Sequence, residues 1–129
     1  MTIGRHYIGI FRHAKAEVEG DELTRPLTAI GIQSAKEQAK RLDINWSHVV
    51  CSPAERTIQT AILLSSKVPE ELELLYVNGE PSKYVLEELV TKIETIASSA
   101  SILIVTHQPM ISPLVYLLCK ERVDGNSIK

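Results

Sequence analysis

Short apolar runs alternate along the chain with longer segments in which apolar residues recur every three or four positions. Four runs have the composition of β-strands, and they lie at residues 7–11, 48–51, 72–77 and 102–105. The last run, Ile-Leu-Ile-Val, is wholly apolar, which is typical of a strand buried on both faces of a parallel sheet. Residues 14–27 are predicted to form a loop, and Asn78-Gly79 a turn.

The longer segments have the period of amphipathic helices, with their apolar residues on one face. Each segment begins at a residue that favours a helix start. These residues are Thr28, Ser52 followed by Pro53, Pro81 or Ser82, and Pro109. The order βαβαβαβα predicts an α/β fold, a three-layer αβα sandwich whose mainly parallel sheet of about four strands has helices on both faces.

Length and composition favour a single domain over residues 1–129. No segment approaches the roughly 20 apolar residues that span a bilayer, and the N-terminus lacks the pattern of a signal peptide, so a cytoplasmic protein without membrane contact is expected. A formal net charge of -2 argues against broad nucleic-acid binding, which requires many phosphate contacts. Cys51 and Cys119 are too few for a disulfide framework and are predicted to be reduced core residues.

Two histidines and two arginines follow the predicted strands closely. Arg12 and His13 follow the first strand, Arg56 lies one turn into the helix after the second, and His107 follows the fourth. Ligands of open α/β sheets bind beyond the carboxyl ends of the strands, so these residues are expected to meet at one edge. A lone histidine there is usually structural and a lone arginine usually solvated. Four such residues at equivalent positions instead predict capture of a phosphoryl group beside a histidine, because arginine forks and helix N-termini bind phosphate oxygens.

Four strings at these positions carry a resemblance to the histidine phosphatase superfamily, which is also known for phosphoglycerate mutases. They are FRHAKAE at 11–17, LTRPLTAIGIQSAKEQAKRL at 23–42, CSPAERTIQTA at 51–61 and IVTHQPMIS at 104–112. The Arg-Pro-Leu-Thr-x-x-Gly pattern in the second string is similar to the SixA-type phosphohistidine phosphatases. The resemblance covers residues 7 to about 118 and implies a phosphoglycerate mutase-like fold.

The resemblance also implies roles for the four residues. His13 becomes the nucleophile, which forms a transient phosphohistidine, while Arg12, Arg56 and His107 hold the phosphoryl group. One nitrogen of His13 is expected to donate to a backbone carbonyl while the other attacks phosphorus. The pKa of His13 is expected to be lowered, because the two arginines disfavour its imidazolium form.

Further residues have two interpretations at this stage. Arg25 either extends the pocket toward phosphate or substrate, or forms a salt bridge with Glu22 or Asp21 that shapes the loop. Ser52 is a candidate helix cap whose hydroxyl could also bind phosphate, and Gln108 is a further candidate binding residue. Gln59 and Thr60 are interpreted as packing residues.

The position where many relatives carry a glutamate that protonates the leaving group falls close to Tyr76. Glu80 is a possible acid, but it comes several residues late and could simply complement the dipole of the following helix. General-acid help is worth about 10²–10⁴-fold, so a missing acid favours substrates with a good leaving group, such as phosphohistidine. The sequence shows no carboxylate cluster, so no metal and no other cofactor is implied.

The favoured function is therefore hydrolysis of phosphohistidine on a phosphorylated protein, for example a histidine-phosphotransfer domain in signal transduction. Phosphate or another tetrahedral anion is expected to bind in the pocket. One alternative is a small-molecule phosphomonoesterase that uses Glu80 as its acid. The other is a non-catalytic phosphate-binding signalling module, against which the retention of both histidines and both arginines argues.

The resemblance implies that Tyr7 to Phe11 form an edge strand. The polar segment at residues 123–129 is too short to cover that edge well. Because unpaired strand edges invite pairing with another chain, either a homodimer joined along this edge or a tail folded back over it is expected.

Overall fold

Strands and helices alternate in the computed structural model, which describes residues 7–76 and 79–122. The elements are β1 (Ile8–Arg12), α1 (Ala29–Leu42), β2 (His48–Cys51), α2 (Glu55–Ser65), β3 (Glu70–Glu71), a 3-10 turn (Glu73–Leu75), α3 (Lys83–Ala97), β4 (Ile102–Thr106) and α4 (Ile111–Arg122). Within these residues, no helix is both long and apolar enough to cross a membrane. The observed order confirms the predicted alternation.

The four strands form one parallel sheet in the order β1-β4-β2-β3. Arg12 at the end of β1 lies opposite Thr106, and Cys51 at the end of β2 lies opposite Val105. The carboxyl ends of these three strands are therefore level with one another. In the described part of the chain β1 is an edge strand, as predicted, whereas the tail at 123–129 that was expected to approach it lies outside the described residues.

The sheet separates two apolar clusters, and β4 contributes to both because successive side chains of a strand point to opposite faces. Ile102 and Ile104 pack in one cluster with residues of α3 and α4, including Leu89 and Leu114. Leu103 and Val105 pack in the other with Trp46, Ala61 and Leu64. All five residues of β4 are buried, which confirms the burial predicted for the apolar run at 102–105 and adds Thr106 to it. Helices on both faces confirm the predicted α/β class.

The third strand differs from its prediction at 72–77. β3 comprises only Glu70 and Glu71, which pair with Val50 and Cys51, and the chain then turns through the 3-10 segment. This turn buries Leu75 completely, and its carbonyl accepts a hydrogen bond of 2.9 Å from the Thr106 hydroxyl. The strand-like composition thus reflects burial of the run rather than a long ladder.

The second helix begins at Glu55, later than the predicted start at Ser52 and Pro53, and Ala54 is its N-cap. Ser52 does not cap the helix because its hydroxyl is used elsewhere. Its Oγ lies 2.8 Å from Oγ1 of Thr57, and both residues are fully buried.

The two cysteines have different surroundings. Cys51 is fully buried, as predicted, and burial is the largest cause that raises the pKa of its thiol to about 12, with a further contribution from Glu71. Cys119 is exposed, so its prediction as a core residue is wrong. The apolar stripe of α4 turns Leu114 and Leu118 toward the core and leaves Cys119 outside it.

Candidate active site

A cavity of about 680 Å³ lies at the carboxyl edge of the sheet. The ends of β1 and β4, the first turn of α2 and the loop at 14–27 surround it. Six of the residues predicted from the sequence line it, namely Arg12, His13, Arg25, Arg56, His107 and Gln108. The structure thus brings both histidines and both arginines together, along with a third arginine.

His13 is held in one orientation by its own backbone. Its Nδ1 lies 2.8 Å from the carbonyl oxygen of Ala14, and its backbone N–H donates to the carbonyl of Thr106 at 3.1 Å. Because a carbonyl oxygen can only accept a hydrogen bond, Nδ1 must carry the proton. The neutral ring therefore has its lone pair on Nε2, the nitrogen that can attack phosphorus.

The segment that follows His13 is held by α2 through side chains that were interpreted as packing residues. The backbone N–H of Ala14 donates to Thr60 Oγ1 at 3.0 Å, and that of Leu27 donates to Gln59 Oε1 at 2.7 Å. Both ends of the loop at 14–27 are thus attached to one helix. Gln59 and Thr60 position the nucleophile segment, a role that the helical spacing did not distinguish from packing.

The same loop crosses the first turn of α1 at very short range. Thr28 caps α1 through Gly31, as predicted, and its backbone N–H donates to the carbonyl of Lys15 at 2.9 Å. A Cβ on Gly31 would lie 2.2 Å from that carbonyl oxygen. The glycine of the Arg-Pro-Leu-Thr-x-x-Gly pattern is therefore required for the close approach of two backbones.

Gly31→Ala is expected to lower both stability and turnover, because the Lys15 backbone must move and Ala14 and His13 are covalently linked to it. A substitution that forces backbone shifts typically costs about 1–3 kcal/mol. Thermal unfolding and kcat on an aryl phosphate measure the two effects. Ser34→Ala, an exposed position on the same helix, is the control. Wild-type stability and turnover in Gly31→Ala would contradict the assigned role of the close approach.

Arg56 is buried, with 4% of its surface exposed, and Glu22 holds its guanidinium from the loop. Nη2 lies 2.8 Å from Glu22 Oε1, and Nη1 donates to the backbone carbonyl of Glu22. Arg25 approaches the other carboxylate oxygen at 3.2 Å and also donates to the carbonyl of Glu17. Arg25 therefore forms the salt bridge with Glu22 that the sequence offered as one interpretation, and it also lines the cavity.

Glu22 itself lines the cavity, which the sequence did not indicate beyond its pairing with Arg25. Its slight burial alone would raise the pKa of the carboxyl, but Arg56 and Arg25 outweigh this and lower that pKa below its ordinary value. The site thus contains an ionised carboxylate beside its arginines. The only sequence signal for Glu22 was its position three residues before Arg25 in the predicted loop.

His107 is nearly buried, with 8% exposed, and lies against both His13 and Tyr76. The ring centroids are 6.4 Å from His13 and 5.3 Å from Tyr76, and both contacts are edge-to-face. Its Nδ1 is buried and has no hydrogen-bond partner among the residues that the structure describes. Nε2 is therefore the ring nitrogen that can meet a group in the cavity.

The pKa values of both histidines are lowered. Burial is the largest cause for His13, whose hydrogen bond to Ala14 opposes the shift and whose neighbours Arg56 and Arg12 add to it. The direction agrees with the sequence-based expectation, although burial contributes more than the arginines. Burial, followed by Arg56 and His13, lowers the pKa of His107 to about 4. Both rings are neutral at pH 7 in the empty site.

A histidine NMR titration of the free protein should give His13 a pKa below 6.5 and His107 a pKa of about 4. Below about pH 6.5 these two histidines bind more protons in the unfolded chain than in the folded protein. The free energy of unfolding should therefore fall progressively as the pH is lowered from 6.5 toward 4, which urea unfolding at several pH values can follow. Saturating inorganic phosphate should raise both pKa values. Values above 6.5 in the free protein would contradict the geometry.

Two predicted residues do not reach the cavity, and a third is engaged elsewhere. Ser52 is fully buried against Thr57, and Glu80 is exposed without lining the cavity. Gln108 lines the cavity, but its amide bonds the backbone N–H and hydroxyl of Ser112 at 3.2 and 3.0 Å, at the start of α4. Among the side chains that the structure describes, at residues 7–76 and 79–119, no three His, Cys, Asp or Glu come together as metal ligands would.

Residues 8–76, more than half of the chain, match the sequence model of the histidine phosphatase superfamily (branch 1). No curated protein matches the chain. A solved structure assigned as the phosphohistidine phosphatase SixA of Nakamurella multipartitia is 25% identical with a TM-score of 0.75, over 95% of this chain and 71% of that chain. The protein histidine phosphatase SixA in complex with tungstate is 24% identical with a TM-score of 0.71, over 84% and 73%.

A structure assigned as an alpha-ribazole-5'-P phosphatase of Escherichia coli is 20% identical with a TM-score of 0.71, over 89% of this chain and 80% of that chain. These structures share the fold predicted from the sequence. The match over residues 8–76 carries the family assignment. The chain belongs to the histidine phosphatase superfamily, branch 1.

Proposed function

We propose that this protein hydrolyses phosphohistidine on a phosphorylated protein through a covalent intermediate on His13. The observation that carries the proposal is the 2.8 Å contact between Nδ1 and the Ala14 carbonyl, which leaves the Nε2 lone pair available on a cavity-lining ring. Nε2 attacks phosphorus and the bond to the leaving group breaks. Water then attacks phospho-His13, which releases phosphate and restores the neutral histidine.

The arginines and His107 around the cavity supply the electrostatic part of the mechanism. Arg12, Arg56 and His107 contact the equatorial oxygens, where charge is spread in the transition state. His107 is neutral in the empty site, and an anion bound beside it raises its pKa and makes it a better donor. Arg25, which pairs with Glu22 and lines the cavity, adds to the positive potential at the phosphoryl group.

The choice of phosphohistidine rests on the leaving group. Glu22 is a carboxylate among the described lining residues, but its pairing with two arginines lowers its pKa and makes it a poor proton donor at neutral pH. Tyr76 lies beside His107, where many relatives are expected to carry an acid. Without a strong acid, an alkyl phosphate would leave as an alkoxide, whereas phosphohistidine leaves as a neutral imidazole.

The mouth of the cavity suits a phosphate carried by another protein. Val18 on its rim is 87% exposed, and Arg12 and Glu22 are exposed beside it. The likeness to two SixA structures supports the same substrate class. The proposal therefore includes a phosphorylated partner such as a histidine-phosphotransfer domain, a signalling role and a cytoplasmic location.

The test compares three substrates with wild-type protein in buffer containing EDTA, since the proposed chemistry uses no metal. The substrates are a phosphohistidine-bearing phosphotransfer protein, a phosphoserine peptide and p-nitrophenyl phosphate. The phosphohistidine protein should have the highest kcat/KM and the phosphoserine peptide the lowest. A higher value on the phosphoserine ester would favour the phosphomonoesterase alternative. Hydrolysis of none would leave a phosphate-binding module.

A further inference from the structure

Glu22 is a negatively charged residue in a cavity whose arginines are suited to bind an anion. Its two carboxylate oxygens lie 2.8 Å from Arg56 and 3.2 Å from Arg25, and its side chain is 59% exposed at the mouth of the cavity. Its charge also acts across the cavity, because it raises the pKa of His107 against the arginines. A negative charge here repels a phosphoryl dianion, so any favourable role of Glu22 in the reaction must be toward a cation.

The chemistry of phosphohistidine supplies such a role. The phosphorus–nitrogen bond breaks readily only when the remote ring nitrogen carries a proton, because the ring then departs as neutral imidazole rather than as an imidazolide anion. The protonated ring is a cation while it is still bonded to phosphorus. An ionised carboxylate beside that N–H favours the cationic form and accepts a charge-assisted hydrogen bond from it.

The position of Glu22 fits this role. Arg56 and His107 are buried and His13 is partly buried, whereas Glu22 is exposed on the loop. A phosphoryl group held by the first three residues is therefore expected to direct its leaving group toward the exposed loop. A phosphoryl oxygen also takes donors of Arg56 that Glu22 occupies in the empty site. The Glu22 carboxylate is then able to turn toward a cation at the mouth of the cavity, while the backbone carbonyl of Glu22 keeps its hydrogen bond from Arg56.

We propose that Glu22 binds the protonated ring of the substrate phosphohistidine and thereby selects substrates whose leaving group is cationic while it is still bonded to phosphorus. This inference rests on the proposed function. In the step concerned, a bond forms between Nε2 of His13 and phosphorus, and the substrate phosphorus–nitrogen bond breaks. The electron pair of that bond stays on the departing ring nitrogen. The proton stays on the remote nitrogen, and Glu22 remains ionised throughout.

The test is the ratio of kcat/KM on the phosphohistidine protein to kcat/KM on p-nitrophenyl phosphate, whose leaving group is an anion. Glu22→Gln keeps the size of the side chain and the backbone contact but removes the charge. The phosphohistidine value should fall by about 10- to 100-fold, as expected for a lost hydrogen bond to a charged group. The aryl phosphate value should rise, because the repulsion of phosphate and phenolate is removed.

Two control variants distinguish selection of the leaving group by Glu22 from an effect of Glu22 on the position of Arg56 alone. Glu19→Gln removes a charge from the same loop at a residue that does not line the cavity, and the ratio should stay at its wild-type value. Glu22→Asp should restore part of the ratio. With phosphohistidine, the rate should fall at high pH, where the remote ring nitrogen loses its proton. This fall should begin at a lower pH in Glu22→Gln than in wild type.

The outcomes distinguish this inference from the proposed function. If wild type hydrolyses both substrates and Glu22→Gln lowers both equally or changes neither, Glu22 does not select the leaving group, and the proposed function stands. If wild type hydrolyses only the aryl phosphate, the proposed substrate is wrong and the inference is overturned with it. A circular dichroism melt at the wild-type temperature excludes misfolding as the cause of any loss.

Discussion

His13→Ala should lose turnover on every substrate by about 10⁴-fold or more, because removing the nucleophile of a covalent mechanism removes the reaction path itself. Wild-type protein mixed with ³²P-labelled substrate and denatured in alkaline detergent should carry phosphate that is stable to base and labile to acid. Peptide mapping should place this phosphate on His13. The variant should carry none.

His48→Ala is the matched control for this experiment. His48 is also a histidine at a strand terminus, but it is exposed at the amino end of β2, at the opposite edge of the sheet from the cavity. It should keep wild-type turnover and labelling. Turnover retained in His13→Ala, or label found on His107 instead, would refute the central mechanism.

The arrangement around His13 was predictable because it depends on few, local signals. A wholly apolar run fixes β4 at the centre of the sheet, and parallel pairing brings the strand ends level. Any residue directly after such a strand must then lie at the carboxyl edge. Arg12, His13 and His107 need no more than this to share one cavity, and helical spacing adds Arg56.

Residues whose role depends on distant partners were harder to predict. Glu22 and Arg56 are 34 residues apart in the sequence, and no local pattern predicts that they form a pair. Ser52 has the sequence of an N-cap, yet a buried hydroxyl partner at Thr57 was close enough to take its hydrogen bond. A long-range contact thus decided the role of Glu22, and a contact with the first turn of the following helix decided that of Ser52.

The region around Tyr76 shows the same limit for backbone conformation. The apolar run at 72–77 satisfies the pattern of a strand, but residues 73–75 form a 3-10 turn in which Leu75 is fully buried. A hydrogen bond from Thr106, which belongs to the central strand, holds the carbonyl of Leu75 at the end of this turn. This bond also sets Tyr76 beside His107, so the residue in the place of the expected acid is held by the core of the sheet.

Arg56→Ala should lower kcat by about 10²–10³-fold, which corresponds to about 2.7–4 kcal/mol of transition-state stabilisation, by analogy with lost oxyanion donors. The guanidinium is buried and aimed into the cavity, so its charge is weakly screened by water. Arg56→Lys should recover only part of the loss, because an ammonium cannot reproduce the planar fork that matches phosphate oxygens. Arg41→Ala, at an exposed position near the end of α1, should leave kcat unchanged.

A second measurement on Arg56→Ala tests whether the loss arises from charge or from a displaced loop. Arg56 lowers the pKa of both His13 and His107, so both values should rise when it is removed. Binding of tungstate should weaken in parallel with kcat, since the same donors hold the anion. If kcat fell while both pKa values and tungstate affinity stayed at their wild-type levels, the loss would come from a misplaced Glu22 loop rather than from the missing cation. Rising pKa values with weakened anion binding would place Arg56 directly on the phosphoryl group.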